Sequence, residues 1–143
     1  MQSYGRLISI LYRKAQVYLD SALRPYGLTA SEQPFLTTLY QHDGMSQEQL
    51  SEHLMIDKAA TARTIASLAE KGFVEKRKVS GDKRINQIFL TQQGRESESF
   101  LIPILHRWSE LLVVGMREET REMVYRGLES MVTQVESREA GQK

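Results

Sequence analysis

Basic side chains are concentrated in one segment of this chain, where they could bind a polyanion. Between Asp57 and Arg84 eight lysines and arginines stand beside four acids, which gives the segment a net charge of +4. The whole chain carries +1, so the remaining residues sum to −3. One positive segment in an otherwise slightly acidic protein is typical of a nucleic-acid site, although a solvated, lysine-rich helix and hairpin would show the same charge.

Catalytic and metal-binding patterns are weak by comparison. The chain has no GxSxG nucleophile motif, no glycine-rich phosphate loop and no HExxH pair. It contains no cysteine, which excludes a disulfide framework, a zinc ribbon and a thiol switch. His106 and Glu110 are spaced to share a helix face, but a zinc site needs three or four converging ligands. We therefore predict no enzyme, no metal site and no cofactor, and interpret His42, His53 and His106 as structural or solvated histidines.

Two short helices are predicted just before the basic segment. Each should begin at a capping box, in which Ser or Thr precedes Glu or Gln by three residues. The two boxes are Thr29 with Glu32 and Ser46 with Gln49. They predict helices at about 30–42 and 47–53, joined by a His-Asp-Gly turn at 42–44.

The third helix begins within the basic segment. Asp57 is a good N-cap, and Gly72 should end the helix at a left-handed position. Two faces follow from about 100° of rotation per residue. The face predicted to pack on the core comprises Thr61, Ala62, Ile65, Ala66, Leu68 and Ala69. The outward face, which is small and polar apart from one arginine, comprises Ala59, Ala60, Arg63, Thr64 and Ser67.

After Gly72 the spacing of apolar residues changes from one typical of a helix to one typical of a strand. Residues 73–79 and 85–90 predict two strands, with a Ser-Gly-Asp turn at 80–82. A long helix should then run from Thr91 toward residue 115, kinked or divided by Pro103. The predicted fold is mainly α with a small β wing: a winged helix-turn-helix plus dimerisation helices.

Apolar stripes near both ends of the chain predict a homodimer. Residues 4–26 carry apolar side chains at spacings of three and four, and Pro25 should end this amphipathic helix. A last helix at about 118–137 carries a heptad-like seam formed by Val124, Leu128, Met131 and Val135. One small winged-helix unit cannot bury all of these side chains, so we expect a second copy to cover them.

A helix-turn-helix places its second helix in the major groove of duplex DNA. Arg63 is the natural bidentate donor to a guanine, and Ala59 and Ala60 could contact thymine methyl groups. We expect backbone N–H groups at Ser46 and Gln47 to meet a phosphate. The complete set of predicted DNA contacts is Ser46, Gln47, Lys58, Ala59, Ala60, Arg63, Thr64, Ser67, Arg77, Asp82, Lys83 and Arg84.

The region from Leu50 to Gly94 resembles the MarR family of regulators. The motifs that carry the resemblance are Leu68 to Gly72, Val74-Glu75-Lys76, Asp82-Lys83-Arg84, and Leu90-Thr91 followed by Gly94. The likeness extends over nearly the whole chain, including Pro103 and Trp108. One departure is Lys83, because many members have arginine there, and lysine is more strongly hydrated in a minor groove. Whether Lys83 or Arg84 enters the groove stays open.

The resemblance implies a single MarR-type domain over residues 1–143. Residues 30–91 would form the winged-helix DNA-binding region, and residues 1–28 and 92–143 the dimerisation helices. It also implies a repressor that acts as a homodimer on a pseudo-palindromic operator and is released by a small aromatic or lipophilic effector. The candidate effector pocket comprises Tyr12, Arg13, Phe35, Leu39 and Trp108. Aromatic residues at helical spacing are more often core or interface, which is the alternative interpretation.

The sequence also predicts where the protein is located, and it allows a second function. No run approaches the roughly 20 apolar residues of a membrane span, and the first residues lack a signal-peptide pattern, so we expect a cytoplasmic protein without a membrane partner. The alternative function is a winged-helix module for protein–protein assembly, without sequence-specific DNA binding.

Overall fold

The computed structural model describes residues 1–78 and 85–142 of the chain. The predicted wing turn at 80–82, together with Lys83 and Arg84, lies outside the described residues. The chain divides into two compact units, Met1–Trp108 and Ser109–Lys143. The first unit contains the DNA-binding elements that the sequence predicts.

The first helix, α1, spans Tyr4–Leu23 and continues into a 3-10 turn at Arg24–Tyr26. Proline in that turn and a left-handed Gly27 (φ 77°) end it where the sequence predicts. Only the last turns are buried within the chain, at Leu19 and Leu23. The apolar side chains of its first turns are exposed at Tyr4, Leu7, Ile8, Leu11 and Tyr12, and Ile10 is half-buried.

The second helix, α2, spans Gln33–Gln41, so the predicted start at residue 30 is wrong. Only half of the expected capping box forms. The Glu32 carboxylate accepts hydrogen bonds from the Thr29 N–H and hydroxyl groups (2.9 and 3.0 Å). The Thr29 hydroxyl therefore donates to Glu32 instead of accepting from the helix, and residues 30–32 form a turn.

Helices α3 (Gln47–Leu54) and α4 (Lys58–Glu70) form the predicted helix-turn-helix. The complete capping box at Ser46 and the N-cap at Asp57 are confirmed, the latter accepting from the Ala60 N–H at 2.7 Å. In the turn between the two helices Met55 adopts a left-handed conformation (φ 56°).

Gly72 ends α4 as the sequence predicts. With φ 89° it lets the Phe73 N–H reach back to the Leu68 carbonyl at 2.9 Å. The core-facing side of α4 is buried at Thr61, Ile65 and Leu68. The prediction for Ala66 is wrong because it lies roughly 120° around the helix from the centre of that face, and it is exposed.

Strands β1 (Val74–Arg77) and β2 (Gln87–Leu90) pair in antiparallel register, with Val74 opposite Leu90. Residues 44–47 lie along the other edge of β2, where the Gly44 N–H donates to the Ile88 carbonyl at 2.9 Å and the Ile88 N–H donates to the Met45 carbonyl at 2.8 Å. This third segment attaches the wing to the start of α3.

After the wing come α5 (Gln92–Glu96) and α6 (Glu98–Val113). Of the predicted kink or division at Pro103, the division is wrong, since α6 continues through the proline. The break lies at Ser97, whose hydroxyl donates to the Gly94 carbonyl at 2.6 Å and contacts the Tyr40 hydroxyl. Serine hydroxyls that bond local backbone compete in this way with regular helix geometry.

The second unit contains the last helix, α7, which spans Glu118–Gly141 and ends slightly later than predicted. No α7 residue is buried within the chain. No single helix in the described ranges is long and apolar enough to span a membrane.

One hydrophobic core holds the DNA-binding elements together. It is built from residues of α1 to α4, both strands, α6 and the segments before α2 and β1: Leu19, Leu23, Leu28, Ala30, Phe35, Leu36, Leu39, Leu50, Ile65, Leu68, Phe73, Val74, Ile88, Leu90, Leu101 and Ile104. The inward residues of α4 belong to this core, so its outward face has a fixed orientation.

Candidate nucleic-acid interface

Helix α4 presents a surface of small side chains with one free arginine. Arg63 is exposed and makes no hydrogen bond or ion pair with any described residue. Ala59 beside it is exposed and Ala60 is half-buried. The Thr64 hydroxyl donates to the Ala60 carbonyl at 2.9 Å, so its capacity to donate is already used within the helix. The guanidinium of Arg63 is therefore the strongest free donor on this face.

Ser67, which the sequence places with the DNA contacts, is engaged inside the protein. Its hydroxyl donates to Oε2 of Glu32 at 2.8 Å. The Lys71 ammonium, one turn further along, donates to Oε1 of the same carboxylate at 2.8 Å. The last turns of α4 are thus fastened to the start of α2 instead of being free for a ligand.

The start of α3 offers fewer backbone donors than the sequence suggests. The Ser46 N–H donates to Oε1 of Gln49 at 2.9 Å, and the Gln47 N–H donates to the Asn86 carbonyl at 3.1 Å. Both N–H groups expected to meet a phosphate therefore have partners within the chain. The Ser46 hydroxyl accepts from the Gln49 N–H at 3.1 Å and keeps its own hydrogen free to donate.

A groove of about 290 Å³ lies where the starts of α3 and α4 meet the approach to β2. Its wall is formed by Ser46, Gln47, Glu48, Ser51, Lys58, Ile85 and Asn86. The Lys58 ammonium lies 3.5 Å from the Glu48 carboxylate, and both side chains are largely exposed. Such a pair is weak in water, so Lys58 can exchange this partner for another anion.

Arg77 is held on the surface of the wing. Its guanidinium lies 2.8 Å from the Glu75 carboxylate and 4.0 Å from the centre of the Phe89 ring. The stacking fixes the direction of the side chain while leaving about half of it exposed. The remaining predicted contacts, Asp82, Lys83 and Arg84, lie outside the described residues.

None of the five candidate effector residues lines the groove at the starts of α3 and α4, and none lines the groove along α7. Phe35 and Leu39 are buried in the core. Tyr12 is exposed, and Arg13, also exposed, donates to the Ser9 hydroxyl at 2.6 Å. Trp108 rests against the ring of Tyr18, with 5.0 Å between ring centres. Their geometry favours the alternative interpretation as core and surface residues.

Residues 1–78 and 85–142 contain no cluster of three or more histidine, aspartate or glutamate side chains that could hold a metal ion. His106 is exposed on α6, and the rings of His42 and His53 lie 6.3 Å apart, centre to centre.

The role of Glu32 is not apparent from the sequence. Its carboxylate is buried, which by itself would raise the pKa. The hydrogen bonds from Lys71, Ser67 and Thr29 outweigh this burial and lower the pKa below its ordinary value near 4.5. The capping-box spacing predicts a bond between Glu32 and Thr29. It does not predict the partners Ser67 and Lys71, which are 35 and 39 residues away in sequence.

The lowered pKa of Glu32 predicts a specific acid sensitivity. The ionised carboxylate stabilises the folded state at pH values above about 4.5, and this stabilisation is lost as the pH falls toward the folded-state pKa. Urea unfolding of the wild type and of Glu32→Gln between pH 7 and pH 3 should show their difference in unfolding free energy narrowing below pH 4.5. Parallel curves would contradict the role of this carboxylate.

The fold and the exposed face of α4 define a winged helix-turn-helix protein. A comparison with protein families matches residues 28–85 to the MarR family. The uncharacterized HTH-type transcriptional regulator YdgJ of Bacillus subtilis is 32% identical over 114 residues, which cover 80% of this chain and 70% of that protein. The crystal structure of a MarR transcriptional regulator from Methanosarcina mazei Go1 is 36% identical, covers 93% of this chain and 96% of its own, and gives a TM-score of 0.88.

A MarR family regulator from Listeria monocytogenes, solved as a complex with 26mer DNA, shares the fold at 20% identity, with a TM-score of 0.88 over 94% of this chain and 90% of its own. The protein belongs to the MarR family of winged helix-turn-helix, DNA-binding transcriptional regulators. The relatives that it matches are transcriptional regulators.

Proposed function

We propose that this regulator is a homodimer that binds a pseudo-palindromic duplex operator and reads it with α4. The observation that carries the proposal is the exposed Arg63, free of described partners on a face otherwise made of small side chains. A guanidinium in the second turn of a recognition helix can donate two hydrogen bonds to the O6 and N7 atoms of a guanine. The Listeria monocytogenes regulator of the same fold, which was solved with 26mer DNA, supports DNA as the ligand.

The apolar surfaces of the two units support the homodimer. In α1 the exposed large apolar side chains are Tyr4, Leu7, Ile8, Leu11, Tyr12 and Val17. In α7 they are Met123, Val124, Tyr125, Leu128, Met131, Val132 and Val135. Apolar stripes of this length on two helices are unusual for a surface that faces water. A second copy supplies identical stripes, so the same residues can cover one another about a two-fold axis.

Residues 30–91 are proposed as the DNA-binding region and the flanking helices as the dimerisation region. We further propose repression in the cytoplasm and release by a small aromatic or lipophilic molecule. The effector proposal rests on family resemblance, since the candidate residues line neither of the two grooves. Titrating candidate molecules against the protein–operator complex tests it, and unchanged affinity throughout would count against it.

Salt dependence separates DNA binding from the alternative of a protein–protein assembly module. The operator is first recovered by selecting bound fragments from random duplex DNA. If about four basic residues of each protomer bind phosphates, log K should fall with log salt at a slope on the order of −7. The measurement is a titration at several salt concentrations on the recovered and a scrambled duplex, with light scattering to give the mass of the free protein.

A slope near −1, equal affinity for both duplexes or a footprint over a single half-site would contradict the DNA-reading model. A stable folded monomer at micromolar concentration would contradict the homodimer separately. The two half-sites should lie about one helical turn, roughly 34 Å, apart.

A further inference from the structure

Glu32 is a buried carboxylate that belongs to α2's N-terminal turn, yet it binds two side chains at the end of the proposed recognition helix, α4. It is 3% exposed and receives four hydrogen bonds. Oε1 accepts from Lys71 at 2.8 Å and from Thr29 at 2.9 and 3.0 Å, whereas Oε2 accepts from Ser67 at 2.8 Å. A carboxylate bound through both oxygens cannot rotate without breaking a bond, so it is a rigid anchor.

The anchor holds the same edge of α4 that carries the proposed base-reading arginine. Arg63, Ser67 and Lys71 stand at positions i, i+4 and i+8, so they form one row along the helix. Glu32 binds the second and third members of this row. Because both are held at the same carboxylate, rotation of α4 about its own axis is restrained, and the direction of Arg63 is restrained with it.

The other end of the anchor leads back to α1. The loop before α2 is held by Asp20 of α1, whose carboxylate accepts from the Ala30 N–H at 2.7 Å. The adjacent Thr29 is bonded to Glu32 through both its N–H and hydroxyl groups. Asp20 therefore holds Ala30, and its chain neighbour Thr29 binds Glu32, so hydrogen bonds on both sides of this loop connect α1 to the last turns of α4 within the first compact unit.

We infer that Glu32 is a positioning residue for DNA reading, which sets the rotation of α4 so that Arg63 meets its base. The inference rests on the proposed function. It requires that loss of the anchor lower the discrimination between operator and scrambled DNA, beyond any loss of stability. It also requires that Glu32 and Arg63 be energetically coupled, although they do not touch.

The test compares Glu32→Gln, Lys71→Met and the double variant, on the recovered operator and on a scrambled duplex. All are measured at a temperature where circular dichroism shows each variant folded. Either single change should reduce the ratio of operator affinity to scrambled-duplex affinity about fivefold or more. The reason is that each change leaves one partner of the Glu32–Lys71 ion pair without its counter-charge. The double variant should recover part of the ratio, because the amide can still accept from Ser67 once the ammonium is gone.

Tyr40→Phe is the matched control. It removes a half-buried hydrogen bond from α2 to Ser97, away from α4, and should leave the affinity ratio within about twofold of the wild type. Combining Glu32→Gln with Arg63→Ala measures the energetic coupling between the two residues. If Glu32 only stabilised the fold, this coupling would be zero. Removing Arg63 should cost clearly less discrimination in the Glu32→Gln background than in the wild type.

Two outcomes overturn the inference in different ways. In the first, the wild type and the folded Glu32→Gln variant discriminate operator from scrambled DNA equally well, and Arg63→Ala costs the same discrimination in both. Glu32 then only stabilises the fold. If the wild type itself binds operator and scrambled DNA equally, the proposed function fails and the positioning role fails with it. If Glu32→Gln does not fold, Lys71→Met and its combination with Arg63→Ala replace it in the test. The same loss of discrimination, and the same smaller cost of removing Arg63, are then expected.

Discussion

Replacing Gly94 by alanine should lower the free energy of unfolding by about 3 kcal/mol or more. A Cβ atom at this position would lie 2.1 Å from the Phe73 carbonyl oxygen and 3.1 Å from Cδ2 of Leu90. The first distance is far inside van der Waals contact, and a backbone oxygen cannot move aside as a side chain can. Helix α5 would therefore have to shift away from the end of α4.

That shift would break the bonds that fasten α5 to the start of β1. The Thr91 N–H donates to the Phe73 carbonyl at 3.1 Å, and the Thr91 hydroxyl donates to the Gly72 carbonyl at 2.6 Å. Thermal and urea unfolding measure the destabilisation, which should lower the melting temperature by roughly 10 °C in a chain of this size. Gly5→Ala is the control, because its added Cβ would meet no atom within 4 Å apart from its chain neighbours and the adjacent backbone of its own helix. Equal stability of the two variants would contradict the predicted clash.

The sequence predicts the elements whose determinants are local. Ser46 and Asp57 fix the starts of α3 and α4 through bonds to backbone N–H groups three residues ahead. Gly72 fixes the end of α4 because its left-handed conformation lets the Gly72 and Phe73 N–H groups donate back to the carbonyls of Ala69 and Leu68. Each of these signals lies within one helical turn, so a single sequence is enough to interpret it.

The errors arise where distant residues compete for the same groups. Glu32 has the spacing of a capping residue, yet its carboxylate also binds Ser67 and Lys71. Helix α2 starts at Gln33, beside Pro34, which has no N–H to donate to the carbonyl of residue 30. The Gln47 N–H resembles a free helix terminus until β2 brings the Asn86 carbonyl beside it. Pro103 does not divide α6, because the break is determined by hydrogen bonds at Ser97.

The same distinction applies to the candidate DNA interface. Helical periodicity predicts that Arg63 faces outward, and the structure agrees. Periodicity also puts Ser67 on that face, but it cannot reveal that the hydroxyl is bound to a residue of α2. The base-reading role of Arg63 stays a prediction, which kinetic or equilibrium binding to DNA can test directly.

Arg63→Ala should cost about 1–3 kcal/mol of binding free energy on the preferred operator and much less on scrambled DNA. The physical reason is that the arginine can form its paired hydrogen bonds only where a guanine stands at the right position. The change should leave folding intact, because the side chain is exposed and alanine is a good helix former. The measurement is a titration of each duplex at several salt concentrations.

Lys58→Ala on the same helix is the matched control for charge. Its ammonium is exposed at the first residue of α4, beside Glu48, where a phosphate can replace the weak ion pair. We expect this variant to bind both duplexes more weakly by similar factors and to show a salt slope shallower by about one unit for each phosphate that it no longer neutralises. Arg63→Ala should instead change the ratio of the affinities. If Arg63→Ala costs the same free energy on both duplexes, Arg63 binds a phosphate, and another side of α4 must read the bases.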